Sequence, residues 1–129
     1  MSDFKRLKVW RKAHALALNV RRVSVKMRGA ENAALRNQMT RAAMSIPTNI
    51  VEGTGQESSR DYGRFVRIAL NSTSELEYHL IVARDYDAIS RTDFESLTSQ
   101  TIEVRMMLHG LARALKLRPQ YAKKDCLEV

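Results

Sequence analysis

The side chains best placed to do chemistry are Lys8, Arg11, Lys12, Arg21, Arg22 and Lys26, crowded into the first 28 positions of a 129-residue chain. With Lys5, Arg6 and Arg28 they make nine basic residues against a single acid, Asp3, whereas residues 29–129 hold 13 of each sign. The whole formal charge of +8 therefore belongs to the start of the chain. Around an ideal helix Lys8, Arg11, Arg22 and Lys26 share one side, with Lys12 at its margin and Val9, Ala13 and Val20 opposite. A positive row of this kind attracts polyanions, and its contacts go mainly to phosphates, which position a nucleic acid without reading its bases. There is little aromatic interleaving beyond Trp10, which falls at the apolar edge, so stacking on single-stranded bases has weak support. A charged stripe is also the ordinary form of a solvated helix face, but interleaved acids usually keep such a face near neutral and here they are missing. An acidic protein partner is the alternative to nucleic acid.

A second polar group lies further along. Glu75, Glu77 and His79 sit close together in sequence, but bundle di-metal sites need Glu-x-x-His on two helices, and that spacing occurs nowhere. Glu75 and His79 read as a solvent-facing pair. His14 and His109 come to similar heights if the first and last helices are antiparallel, yet no carboxylate or cysteine joins them. With no nucleophile elbow, phosphate-cradling glycine loop or dinucleotide fingerprint, the expectation is a protein without metal or cofactor that is not an enzyme.

The chain is organised around residues 38–53, QMTRAAMSIPTNIVEG. Met39, Ile46 and Ile50 recur at helical spacing, and Ala42 and Ala43 permit close packing. Pro47 then removes a backbone donor inside the apolar pattern, so a kink or restart is expected. Ser45, Thr48 and Asn49 can bond the groups so freed, and Gly53 with Gly55 offers a flexible exit. Arg41, Asn49, Glu52, Glu75 and Glu77 could form a ligand site; the structural reading, with Arg41 paired to a glutamate of the third helix, is preferred.

The elements that position these residues are four helices. The first runs from about Phe4 to Arg28, with Val9, Ala13, Leu16, Val20, Val23 and Met27 inward and Gly29 as its stop. The second runs from about Glu31 to Glu52. A third, capped by Ser58 or Ser59, carries Tyr62, Val66, Ala69, Thr73, Leu76, Leu80 and Ala83 to about Asp85. Thr92 and Glu95 form a capping box for the fourth, which repeats the spacing from Phe94 to Leu115 and ends by Pro119. Short connections predict an all-α, up-down-up-down antiparallel bundle over residues 1–118, with a charged tail over 119–129. The single Cys126 permits no internal disulfide, and no signal peptide or membrane-length apolar run is present, so a reducing cytoplasm is expected.

Arg41-Ala42-Ala43, Ser45-Ile46-Pro47, Asn49-Ile50 and Glu52-Gly53, followed by Phe65, Ile68-Ala69, Ser72 and Glu75-Leu76-Glu77, resemble the signature of a bacterial four-helix bundle family. These are the S23-like proteins encoded in intervening sequences of 23S ribosomal RNA. Asn71, Val51 and His79 depart from its pattern, where glycine, alanine and glutamine are usual. The resemblance implies a homo-oligomer, most simply a pentameric ring. Related accessory proteins of diversity-generating retroelements are basic pentamers that bind nucleic acid and a reverse transcriptase. The apolar residues left over after packing one bundle, Trp10 and Ala17, Phe65 and Ile68, Ile102 and Met106, also suggest subunit contacts.

Overall fold

The 3-4 alternation of apolar residues closes four helices around one core. The computed structural model describes residues 3–116. In it α1 spans Lys8–Ser24, α2 Ala33–Thr54, α3 Ser59–Asp85 and α4 Arg91–Ala114. Each helix packs on its neighbours in sequence and α4 closes against α1, the arrangement of an antiparallel four-helix bundle, with no strand among the described residues. Leu16, Val20, Met39, Ile46, Ile50, Val66, Leu76, Leu80, Leu97, Val104 and Leu108 fill the core. Pro119, Cys126 and the expected tail lie outside the described residues.

The first helix is shorter than its charge pattern suggests. Phe4–Arg6 forms a separate 3-10 turn, Leu7 is extended, and α1 ends at Ser24 instead of Arg28. The chain tightens there because Lys26 and Met27 donate to the Val23 and Ser24 carbonyls, three residues back rather than four. The 17 residues of α1 span about 25 Å. Gly29 then adopts φ +96°, and a second 3-10 turn, Ala30–Asn32, leads into α2.

Pro47 is buried inside α2 without interrupting it, so the helix does not restart. Ala43 loses its usual donor, and the next two carbonyls gain side-chain ones: Thr48 Oγ1 donates to Met44 at 2.8 Å and Asn49 Nδ2 to Ser45 at 2.8 Å. Asn49 also reaches Ser45 Oγ, which lies 2.8 Å from Ser72 Oγ on α3, and Ser72 in turn donates to the Ile68 carbonyl. Gly53 is not the flexible exit its sequence position implies. It is buried within α2, where a Cβ would stand 2.8 Å from the Tyr62 ring and 3.3 Å from Phe65 Cβ. Its lack of a side chain lets α3 approach.

The caps divide likewise. Ser58 caps α3 by accepting from the Asp61 N–H at 3.1 Å. The cap of α4 is Ser90, which accepts from Asp93, two residues ahead of the expected Thr92. Asp87 ends α3 in the left-handed region, with its N–H on Arg84 and that of Ala88 on Ala83, a Schellman closure. The fourth helix stops at Ala114, before Leu115.

Candidate nucleic-acid interface

The six basic residues singled out in the sequence are all exposed, but the bundle treats them differently. On the side of α1 that meets α4, Lys26 pairs with Asp93 at 2.9 Å and Lys12 with Glu103 at 3.5 Å. The acids missing from α1 are thus partly supplied by α4. Arg11 folds back on the lead-in, donating to the Lys5 and Arg6 carbonyls at 3.2 and 3.0 Å. Arg22 donates to Asn19 Oδ1, and Asn19 to Gln100 of α4, which leaves the guanidinium charge without an acid. Lys8 and Arg21 make no ion pair among the described residues. Trp10 is half-buried, edge-on to Phe4 and stacked on His14 with centroids 4.9 Å apart. Its ring is engaged within its own chain, so phosphate contact is the chemistry this face offers.

Two arginines complete the basic surface. At the α1–α2 turn, Arg36 Nη1 donates to the Met27 carbonyl at 2.5 Å and the Gly29 carbonyl at 3.0 Å, tying down the end of α1 from the next helix. Arg28 lies beside it, and Arg21, Arg28 and Arg36 line one cleft. Arg36 escaped the sequence reading because its partners are seven and nine residues away in a turn. The available signal was an arginine on each side of a stop glycine.

The signature residues also separate. Arg41 and Glu52 are exposed, and Arg41 makes no ion pair among the described residues, which corrects the expected pairing with α3. The glutamate is held from α4 instead. Arg105 Nη2 lies 2.6 Å from Glu77 Oε1, and its Nε donates to the fully buried Thr73 Oγ1 at 3.1 Å. Glu75 stands 3.5 Å from His79 on the same helix. No group of three or more potential metal ligands, with or without His14 and His109, occurs among the described residues. Burial, then the charges of Arg105 and Arg113, holds His109 below the usual imidazole range, which favours its neutral form.

The sequence profile of the 23S rRNA-intervening sequence protein family matches residues 5–110, from the basic lead-in through the Arg105–Glu77 pair to α4. The chain belongs to that family. Among solved structures it is similar to a protein of unknown function from the S23 ribosomal protein family of Bacteroides thetaiotaomicron, with 24% identity and a TM-score of 0.75. The match covers 80% of this chain and 96% of that one, and it carries the fold. No curated protein matches. Among the described residues no helix is long and apolar enough to cross a membrane.

Proposed function

We propose that this member of the 23S rRNA-intervening sequence protein family is a non-enzymatic, oligomeric scaffold or accessory factor of the cytoplasm that binds nucleic acid through the phosphates, using α1. The observation that carries the reading is charge placement: all of the formal +8 arises in residues 1–28, and Lys8, Arg21 and Arg22 stay exposed with no acid beside them among the described residues. The family name refers to a place in a ribosomal RNA gene, which makes RNA a natural ligand class without assigning an activity. Assembly is supported by apolar side chains that one bundle leaves in solvent, including Ile68, Ile102 and Met106 as expected, with Leu18, Val25 and Met44 in addition. Ala17 drops out, being buried in the core. Five copies in a ring would carry about +40, a field that attracts polyanions unless a partner neutralises it. That exposed apolar surface also keeps an acidic protein partner as the second reading.

Salt titration on the oligomer, with its mass fixed by sedimentation at five subunits, tests the proposal. Neutralising about four to six phosphates gives a slope of about −3 to −5 in log K against log salt, alike for RNA and duplex DNA. Changing Lys8, Arg22 and Lys26 to glutamine keeps good helix formers at the two positions within α1, removes the exposed Lys26–Asp93 pair, and lowers affinity for both nucleic acids together. Arg11 is left in place because it holds the lead-in. No binding by the parent at low salt, or an unchanged affinity in the triple variant, passes the function to a protein partner.

A further inference from the structure

At the α1–α2 turn the chain leaves an open cleft of about 580 Å³, within the range of small-ligand sites. Arg21 reaches it from α1, Arg28 from the turn, and Arg36, Asn37 and Thr40 from the first turns of α2; none of its lining residues among those described is an acid. Three arginines lining one open space carry like charge, which an anion between them would offset. The donors such an anion needs are open. Arg36 is fixed by the Met27 and Gly29 carbonyls through Nη1. Among the described residues the side chains of Arg21 and Arg28 make no hydrogen bond or ion pair and the Asn37 side-chain amide donates no hydrogen bond. Each guanidinium presents a planar fork of N–H groups that matches two oxygens of a phosphoryl group. Glu31 stands at the rim, its carboxylate lying where a Cβ on Gly29 would be, and works against any anion entering.

We infer that this cleft seats one phosphoryl group of the nucleic acid, gripped by Arg21 and Arg28 over an immobile Arg36. Arg21 lies about 100° around α1 from Arg22, so a phosphate backbone that follows Lys8 and Arg22 reaches the cleft by crossing the outer face of α1 near its C-terminal end. The nucleic-acid identity of the ligand rests on the proposal above; the anion site itself rests only on the cleft. The phosphoryl group is either an internal phosphodiester or a terminal monoester, and the two differ in what a 5′-phosphate adds.

The test compares the assembled parent with Arg21→Gln/Arg28→Gln, with Arg60→Gln/Arg67→Gln, which removes the same charge from α3, and with Glu31→Gln. Inorganic phosphate should raise the melting temperature above that in chloride at equal ionic strength, and the cleft variant alone should lose this rise. A short oligonucleotide with a 5′-hydroxyl or a 5′-phosphate should bind the cleft variant about tenfold more weakly than the α3 variant, and Glu31→Gln more tightly than the parent. Equal loss for both oligonucleotides assigns a phosphodiester, and loss confined to the 5′-phosphorylated one assigns a terminal monoester. If the cleft and α3 variants behave alike toward phosphate and oligonucleotide, the cleft is not a site and the inference is wrong. A phosphate effect that the cleft variant loses, in a parent that binds no oligonucleotide, keeps the anion site but overturns its assignment to nucleic acid.

Discussion

Along the α2–α3 seam Asn49 donates to Ser45, Ser45 meets Ser72, and Ser72 reaches the Ile68 carbonyl; on the outer surface of α1 and the turn beyond it, Lys8, Arg21 and Arg28 meet no acid among the described residues. Both regions are conspicuous in the sequence. Polar groups in the seam are consumed in holding a proline-bearing helix against its neighbour, because buried backbone groups demand partners. Those on α1 are long cations in high-dielectric surroundings, where nothing about folding requires them. A polar residue with a complete set of partners is accounted for by the fold, and one without them is available to a ligand.

The largest test of that division is at Gly53. Valine there places a Cβ 2.8 Å from the Tyr62 ring and 3.3 Å from Phe65 Cβ, so the half-buried Tyr62 and the α3 backbone behind Phe65 must give way. Overpacking of this kind should destabilise by about 3 kcal/mol in denaturant melts. Nucleic-acid affinity per folded molecule should stay at the parental value. A stable Gly53→Val protein with altered binding would move the ligand site into the seam.

Asn49→Ala should come next, at about 2 kcal/mol, because the Ser45 carbonyl and hydroxyl each lose a donor in a half-buried setting. Ser45 retains Ser72, which limits the loss. Binding per folded molecule should again be unchanged; parental stability with lost binding would show that Asn49 serves a ligand.

How far the sequence carries this division depends on whether a partner is local. The core of α3 was legible from Val66 to Ala83, and that of α4 from Leu97 to Leu108, because apolar side chains at 3-4 spacing have one helical face to occupy. The carbonyl bonds of Thr48 and Asn49 were foreseeable because each reaches back four residues. Caps were harder: Ser90 and Asp93 have the same three-residue spacing as Thr92 and Glu95, and only the path of the chain decides between them. Arg41 and Arg105 were indistinguishable as partners for a glutamate on α3, since the choice turns on which neighbouring helix brings its arginine to Thr73 and Glu77. Gly53 was misread because a glycine that admits an aromatic ring looks, in sequence, like one that ends a helix. The Arg21–Arg28–Arg36 cleft needed the turn at Gly29 to bring two helices together.

The smallest effect on stability gives the finest test of α1. Lys12 and Glu103 stand 3.5 Å apart with side chains 45% and 53% exposed, so their pair contributes no more than about 0.5 kcal/mol. Glu103→Gln should therefore leave the melting transition where it is. It also removes one of the two acids with which α4 offsets the basic helix, releasing Lys12 and deleting a negative charge beside any approaching phosphate. If nucleic acid lies along α1, affinity should rise roughly two- to threefold at low salt, the gain should fade as ionic strength increases, and the slope of log K against log salt should steepen by up to about one unit as one more phosphate contact forms. An acidic protein partner would show a similar gain, so the measurement is made with RNA and duplex DNA, where equal increases mark a backbone contact. No gain for either would place the nucleic acid away from the α4 side of α1, toward its outer face and the arginines near the turn.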